Sequence, residues 1–401
     1  MKTNTNHPAL PTEEKKNNNG PAEPLRLGVV LMNLGGPTSE EAVKTFLYNL
    51  FTDPDIIKLG GGFWQRQLAR LIVSRRAPKV AKKYKEINAC PNGCTGNKHC
   101  ENRKAKRVSD CCSPINPLTE RQRRSLEKKL SAEVQADTVK VYTCMRYWLP
   151  DTETTLADLR ADGINHVVLV PLYPQFSWTT TGSSLREWTD LRHENEAWQE
   201  SIVKNYYQNP NFLAAVDTRI SEALEKFAPA DREKVQLVFS AHGTPMSEVR
   251  SGDPYTFEVA RSVELVMARR GFRENYWHAF QSRVGPAKWT EPNTEDLVKR
   301  LLAYGARHLL LVPIAFVTDH IETLMELKIE LLEEIEGTPF EQIEVTEGLN
   351  DHPLFIQSLA DEVYRNLQPA YAHFLPEQWQ YPSTAQNQPA EQSTATVMGM
   401  R

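Results

Sequence analysis

Cysteine is scarce in this chain of 401 residues, which has only six, and five of the six fall within residues 88–112. No apolar run approaches the roughly 18 residues that a membrane-spanning helix needs. The first 20 residues lack the apolar segment of a secretory signal, and they contain no arginine, in which mitochondrial presequences are rich. We therefore expect a cytoplasmic, reducing location, where clustered cysteines are metal ligands more often than disulfides.

An excess of either charge is also missing, since 47 basic and 51 acidic residues leave a net charge of −4. Nothing in this balance indicates a nucleic-acid partner. The length favours two domains over one. We expect residues 1–24 to be a disordered leader and residues 369–401, in which Gln, Ser, Thr, Ala and Pro predominate, to be a mostly disordered tail.

Four short apolar runs are present in place of long ones. Each is rich in leucine or β-branched residues and does not alternate with polar residues, which is typical of strands buried on both faces of a parallel sheet. Amphipathic stretches such as SEEAVKTFLYNLF separate them, so the order predicts an α/β fold. The runs are LGVVLMNLGGP (27–37), HVVLVPLYP (166–174), VQLVFSAHGTP (235–245) and HLLLVPIAF (308–316).

The four runs form two pairs. The first run matches the third at an offset of 208 residues, and ADGINHVVLVP matches AYGARHLLLVP at an offset of 142. We therefore predict two similar Rossmann-like domains, residues 25–195 and 196–368, each a parallel sheet flanked by helices. Ligands bind at the carboxyl ends of parallel strands, so we expect both domains to face one cleft. The offsets differ by 66 residues, and the cysteine-rich segment lies within this extra length of the first half.

Two titratable side chains stand where strands should open into that cleft. His242 directly follows VQLVFSA, and its counterpart in the first half is Leu34. Imidazole titrates near neutrality and binds borderline metals, so His242 fits a proton acceptor or an iron site, or else a histidine bonded within a packed loop. Glu322 lies in the first turn of a helix predicted from Asp319, where a carboxylate is stabilised and can meet a cation. His320 fits either a supporting position beside this site or a packing role.

The same predicted helix carries further carboxylates. Glu326 and Glu330 follow Glu322 at steps of four residues and so share one helical face. For Glu330, Glu333 and Glu334 we expect a solvated outer face.

Residues 59–78, LGGGFWQRQLARLIVSRRAP, combine bulky apolar side chains with four arginines. This composition fits an ordinary core helix with a basic outer face. It fits equally an apolar lip with cationic edges, suited to a flat greasy ligand that carries carboxylates or to a membrane surface.

The chain resembles the ferrochelatase family, the enzymes that insert ferrous iron into protoporphyrin to make haem. The similarity covers about residues 25–367, apart from the cysteine-rich segment, and many long blocks occur in the family's order. They include MNLGGPTS (32–39), FTDPDII (51–57), SRRAPKVAKKYKEI (74–87), SPINPLTERQ (113–122), MRYWLP (145–150), PLYPQFSWTTTGSSL (171–185), FSAHGTPMSEVRSGDPY (239–255), QSRVGPAKW (281–289) and PIAFVTDHIETLMEL (313–327).

The resemblance implies two similar α/β domains around a porphyrin cleft, with protoporphyrin IX and Fe²⁺ as substrates. It implies that the metal and proton chemistry falls on His242 and Glu322, with Glu326 behind Glu322. A bent macrocycle would point its pyrrole nitrogens out of plane, and His242 would accept protons as a general base. The porphyrin contacts implied by the resemblance are Met32, Arg76, Tyr84, Ser113, Arg146 and Tyr147, with Trp289 near the pocket.

The cysteine-rich segment stands where some family members have a short glycine-rich turn, and certain bacterial members that resemble this chain carry a [2Fe–2S] cluster. Four thiolates suit such a cluster or structural zinc, although the zinc-finger spacing C-x2-C is absent. The predicted ligands are Cys90, Cys94, Cys100 and Cys112, with Cys111 as the alternative fourth; free thiols or disulfides stay open. Cys144, outside the segment, is expected to be buried and inert.

Two other functions compete with this interpretation. One is a chelatase for another metal or tetrapyrrole, such as cobalt or coproporphyrin. The other is a binding protein with an iron–sulfur sensor loop and no catalysis, against which the pairing of His242 with Glu322 argues, since binding alone needs neither. Membrane contact through residues 59–78 would be peripheral, and the sequence indicates no oligomeric state.

Overall fold

A computed structural model describes residues 24–56, 62–87, 113–282, 287–331, 337–367 and 369–376. The cysteine-rich segment 88–112, most of the predicted leader and most of the predicted tail lie outside these ranges. In the first half the elements are β1 (Arg26–Asn33), α1 (Ala42–Thr52), α2 (Gly62–Glu86), α3 (Ile115–Glu133), β2 (Thr138–Met145), α4 (Thr152–Ala161), β3 (His166–Pro171), a π-helix π1 (Trp178–Gly182), α5 (Ser183–Leu191) and β4 (Gln199–Ile202).

The second half repeats this pattern. It comprises α6 (Pro210–Leu224), a 3₁₀ turn (Arg232–Lys234), β5 (Gln236–His242), α7 (Met246–Arg250), α8 (Tyr255–Arg269), β6 (Asn275–Gln281), α9 (Thr294–Ala303), β7 (His308–Pro313), a second π-helix π2 (Glu322–Glu330), β8 (Gln342–Val345), α10 (Pro353–Asn366) and a 3₁₀ helix (Pro369–Phe374).

Two four-stranded parallel sheets form the centre of the molecule. Their strand orders are β2-β1-β3-β4 and β6-β5-β7-β8, so each later strand occupies the place of its counterpart four strands earlier. The central strands β1 and β3 are almost wholly buried, because helices cover both faces of a parallel sheet and leave no solvated side for alternating polar residues. The α/β fold of two similar parallel sheets is thus confirmed.

Helix ends repeat along with the strands. The side chains of Asp151 and Asn293, 142 residues apart, cap the first turns of α4 and α9 by accepting main-chain N–H groups. Gly163 and Gly305 follow those helices at the same offset with φ of 61° and 94°, a left-handed conformation that glycine adopts without a steric cost. The local signals that start and stop these helices were therefore duplicated as well.

The predicted boundary between residues 195 and 196 precedes β4, yet β4 pairs with β3 and completes the first sheet. The reason is connectivity, because the chain returns to the first sheet after α5 before it continues into the second half. Within the predicted tail, Pro369–Phe374 is helical and Leu375 is only 1% exposed, so the start of that segment packs against the core. The rest of the domain division stays a prediction.

A shared hydrophobic core joins the halves. Leu126 and Leu130 of α3 belong to the same buried cluster as Val263 of α8 and Leu359 of α10. Polar contacts bridge the halves beside this core, for example the hydrogen bond of 3.0 Å from Gln122 Nε2 to Thr318 Oγ1. No helix in the described ranges is both long and apolar enough to cross a membrane.

Candidate active site

His242 is the last residue of β5 and lies at the carboxyl edge of the second sheet. Its ring Nδ1 donates to the main-chain oxygen of Gly243 at 2.6 Å. Because Nδ1 carries the hydrogen, the lone pair of a neutral His242 ring is on Nε2. That Nε2 lies 3.8 Å from Glu322 Oε1, and the His242 side chain is 38% exposed.

Glu322 begins π2 and has a second imidazole on its other oxygen. His320 Nε2 lies 3.7 Å from Glu322 Oε2, while His320 Nδ1 donates to the main-chain oxygen of Thr318 at 2.8 Å. Burial disfavours the charged form of Glu322 and by itself would raise its pKa. The adjoining imidazoles of His242 and His320 outweigh burial and hold the pKa of Glu322 well below its ordinary value. Burial likewise opposes the raised pKa of His320, which the Glu322 carboxylate produces. The carboxylate is thus ionised between two histidines.

Glu326 follows Glu322 in π2 and has different hydrogen-bond partners. Its Oε2 accepts from Ser282 Oγ at 2.6 Å and from Gln281 Nε2 at 3.2 Å. Burial and the charge of Glu322 raise the pKa of Glu326. Neighbouring carboxylates on one helix therefore have pKa values displaced in opposite directions, which is common where protons are transferred.

Glu330 does not lie on a purely solvated face, as the sequence led us to expect. Lys83 of α2 reaches it from the first half, with Nζ 2.5 Å from Glu330 Oε1. The expectation for Glu333 and Glu334 falls outside the described residues. Ile321, directly before π2, packs against the hydrophobic cluster that contains Tyr84 and Tyr147, so the first half adjoins the start of π2 as well.

Arg146 and Tyr147 take part in a buried polar network at the end of β2. Oδ2 of Asp53 accepts from Arg146 Nη2 (2.9 Å), from the Tyr147 hydroxyl (2.6 Å) and from Ser183 Oγ (2.6 Å). Arg146 also donates to Glu187 at 2.6 Å. Burial and the Asp53 charge raise the pKa of Tyr147, so its hydroxyl stays protonated. Sequence analysis did not identify Asp53, although it lies in the block FTDPDII.

The other predicted porphyrin contacts are spread around the first half and the β5 end. Met32 (1% exposed) and Tyr84 (3% exposed) are core residues, and Ser113 is also buried. Arg76 is exposed, with its guanidinium carbon 5.6 Å from the centre of the Phe51 ring. Contact of these residues with a porphyrin stays a prediction.

The ring of Trp289 lies beside the His242 imidazole. Its ring centre is 6.4 Å from that of His242, in an edge-to-face arrangement. Only glycine fits at position 243 without a shift of its neighbours. A Cβ there would lie 2.9 Å from the main-chain oxygens of Gln281 and Ser282 and 3.3 Å from the Trp289 ring. The site is therefore closely packed around Gly243.

A cavity of about 460 Å³ lies at the opposite edge of the second sheet. It is lined at the amino ends of the strands by residues that include Lys234, Trp277 and His308. Within the described ranges, no group of three or more His, Cys, Asp or Glu side chains is arranged to hold a metal ion.

Two parallel sheets with imidazoles and an ionised carboxylate at one carboxyl edge define an α/β enzyme. The family profile described as ferrochelatase matches residues 26–367. A ferrochelatase of Geotalea uraniireducens is 41% identical over 86% of this chain and 99% of its own length. One of Synechococcus elongatus is 41% identical over 86% of this chain and 83% of its own length. The chain belongs to the ferrochelatase family.

Among solved structures, SirB from Bacillus subtilis with Fe³⁺ is similar with a TM-score of 0.47 and 15% identity, covering 64% of this chain and 93% of that chain.

Proposed function

We propose that this enzyme, a ferrochelatase, inserts Fe²⁺ into protoporphyrin IX to form protohaem and releases two protons. The observation that carries the proposal is the approach of His242 Nε2 to Glu322 Oε1 at 3.8 Å, at the carboxyl edge of a parallel sheet. Insertion replaces two pyrrole protons with one dication and leaves the oxidation state of iron unchanged. The site therefore has to take protons and admit a cation.

His242 is proposed to accept the pyrrole protons. Its Nδ1 is held by the Gly243 carbonyl, so Nε2 is the basic nitrogen, on a side chain that is 38% exposed. Once His242 is protonated, the imidazolium lies beside the Glu322 carboxylate, which stabilises its charge. General bases held in this way typically contribute about 10²- to 10⁴-fold to a rate.

Glu322 is proposed to meet the incoming Fe²⁺ or to pass protons on, with Glu326 behind it. The lowered pKa of Glu322 supports the first role, because a metal ligand has to be ionised. The raised pKa of Glu326 supports the second role, because a carboxyl that is protonated more readily can take a proton from its neighbour. Imidazole and carboxylate are both suitable ligands for ferrous iron.

Met32, Arg76, Tyr84, Ser113, Arg146, Tyr147 and Trp289 are proposed to contact the porphyrin. The packing of Ile321 against the cluster of Tyr84 and Tyr147 supports this, because it brings the first half next to π2. A guanidinium such as that of Arg76 fits a propionate carboxylate in its planar fork. A cleft that holds the macrocycle bent would expose its nitrogen lone pairs to Fe²⁺.

A [2Fe–2S] cluster is proposed for the segment 88–112, with Cys90, Cys94, Cys100 and either Cys112 or Cys111 as ligands. The support is the chemistry of the donors, since thiolates are the usual ligands of such clusters. Ser113, which follows the segment directly, donates its N–H to the Pro37 carbonyl at 3.0 Å. No step of metal insertion requires the cluster.

The enzyme is further proposed to act in the cytoplasm with peripheral membrane contact through α2. Leu68 and Leu71 are 38% and 46% exposed, and Arg66 and Arg70 on the same helix are also exposed. Apolar side chains flanked by arginines suit the surface of an anionic membrane.

Turnover with different porphyrins tests the proposal against its alternatives. We expect anaerobic haem formation from protoporphyrin and Fe²⁺ at a higher kcat/KM than from coproporphyrin, because exposed leucines on α2 favour the vinyl-bearing ring. A preference for coproporphyrin or for Co²⁺ would replace the substrate assignment. Tight porphyrin binding without turnover of any metal would show a binding protein instead.

A further inference from the structure

Gln281 is the last residue of β6 and is only 5% exposed. In the sheet it lies opposite His242 of β5. Its main-chain oxygen accepts the Gly243 N–H at 2.7 Å, and the Gly243 oxygen in turn accepts from His242 Nδ1 at 2.6 Å. The Gln281 carbonyl therefore holds the main chain at Gly243, and the carbonyl of Gly243, which belongs to the next peptide group, orients the imidazole.

The Gln281 side chain is bonded on its other side to π2. Its Oε1 accepts from Ser240 Oγ at 2.9 Å, and Ser240 is also 2.9 Å from Thr294 Oγ1. Its Nε2 donates to the main-chain oxygen of Glu322 at 3.1 Å and to Glu326 Oε2 at 3.2 Å. The reverse orientation of the amide would bring Oε1 against two oxygen acceptors, so the observed orientation is the favourable one.

Gln281 thus contacts the surroundings of both proposed reacting groups: its main-chain carbonyl bonds Gly243 beside His242, and its side chain bonds Glu322 and Glu326. Ser282 strengthens the connection, since its own hydroxyl donates to Glu326 at 2.6 Å. In a buried site each such bond resists displacement, because breaking it leaves a polar group unsatisfied. Displacements of about 1 Å in reacting groups can cost about 100-fold in rate.

We propose that Gln281 is a positioning residue that holds the His242 imidazole and the Glu322 end of π2 at their working separation. This inference rests on the proposed function of His242 and Glu322. Gln281 acts through them and takes no proton or metal itself.

The test replaces Gln281 by methionine, which has a similar length and neither donates nor accepts as an amide does. We expect kcat for haem formation to fall about 10- to 100-fold, with the KM for porphyrin changed less than about twofold, because positioning affects the transition state and not porphyrin binding. Zn²⁺ affinity of the porphyrin-free enzyme should weaken about 10- to 100-fold, as for other residues that orient metal ligands.

The matched control is Gln236→Met at the opposite end of β5. Gln236 also uses both amide atoms, donating to the Lys234 carbonyl at 3.3 Å and accepting from Trp277 Nε1 at 3.0 Å. It should leave kcat and Zn²⁺ affinity unchanged. Gln281→Glu serves if Gln281→Met does not fold, since it keeps an acceptor for Ser240 but places a carboxylate against Glu326. Its effect on kcat should be smaller in a Glu326→Gln background, where an amide again faces a carboxylate.

Unchanged kcat and unchanged Zn²⁺ affinity in Gln281→Met would overturn the positioning role. So would equal effects of Gln281→Glu in the two backgrounds. A wild-type protein that binds Zn²⁺ but does not insert iron would refute the proposed function instead, and the Zn²⁺ affinities would still decide the role of Gln281. A wild-type protein that neither inserts iron nor binds Zn²⁺ would overturn both.

Discussion

Lys83 of α2 and Glu330 of π2 form an ion pair of 2.5 Å that joins the first half to the helix that begins with Glu322. Their side chains are 22% and 37% exposed, so solvent screens the pair. Partly exposed pairs of this kind typically contribute about 0.2–1 kcal/mol. The pair is therefore weak enough to open at little cost in free energy.

A double-mutant cycle with Lys83→Gln and Glu330→Gln measures this contact through the free energy of unfolding. We expect a coupling below about 1 kcal/mol that falls as salt increases. The matched pair is Arg270 with Asp217, also 2.5 Å apart but with Arg270 only 10% exposed, which should couple more strongly. A large, salt-independent coupling for Lys83 and Glu330 would contradict an easily opened contact.

Replacing His242 by alanine should abolish iron insertion, because it removes the partly exposed imidazole beside Glu322, and the other imidazole there, that of His320, is buried. We expect kcat/KM for haem formation to fall by about 10²-fold or more. The control is His278→Asn on the neighbouring strand β6, where burial lowers the histidine pKa to about 4 and no proton transfer is proposed. Substantial turnover by His242→Ala in an anaerobic assay would refute the role.

Glu258 should make the stability of the fold depend on pH. Burial raises its pKa to about 7, against the opposing effect of bonds from the Phe176 N–H and the Asn205 amide. The native state therefore keeps this proton from pH 4.5 to about 7 while the unfolded state loses it, so stability falls as pH rises through that window. At about 1.4 kcal/mol per pH unit the loss is on the order of 3 kcal/mol.

Urea unfolding at pH 5 and pH 8 checks this expectation. Glu258→Gln should show a smaller difference between the two pH values than wild type does, because glutamine does not titrate. Glu264→Gln on the same helix is the control, since the Glu264 side chain is 56% exposed beside Arg261 and should leave the difference unchanged. Equal pH dependence in wild type and Glu258→Gln would rule out Glu258 as the cause.

The visible spectrum of the anaerobically purified protein tests the proposed cluster. A red-brown protein that bleaches with dithionite is expected, and only one of Cys111→Ser and Cys112→Ser should abolish the colour. Cys144→Ser should keep it, because Cys144 is buried and burial raises its thiol pKa to about 11. A colourless protein without bound iron and sulfide would mean zinc or free thiols.

The central strands of the two sheets and the duplication could be predicted from sequence, because buried parallel strands are continuous apolar runs. The runs beginning at Leu27 and Val235 became β1 and β5, and those beginning at His166 and His308 became β3 and β7. The edge strands β4 (QESI), β6 (NYWHAFQ) and β8 (QIEV) were missed. In β4 and β8 only four residues are present and half or more of them are polar. Short strands at a sheet edge depend on pairing that no local pattern reports.

The immediate surroundings of the site were less predictable. The spacing of Glu322, Glu326 and Glu330 was interpreted as an α-helical face, whereas the segment is a π-helix, whose hydrogen-bond pattern leaves no distinct signal in composition. Asp53 meets Arg146 across 93 residues of sequence, and Gln281 meets Glu322 across 41. Such partners are selected by tertiary packing, so no spacing rule could have identified them.

The duplicated halves differ at the end of one strand, where His242 of the second half corresponds to Leu34 of the first. His320 and Glu322 also belong to the second half. A planar ligand held between such halves meets chemically unlike walls on its two faces. Its faces, interchangeable in solution, become distinct once it is bound. With the proposed roles of His242 and Glu322, deprotonation and metal entry would proceed from the His242 face alone, and a duplicated fold would distinguish the two faces of its ligand.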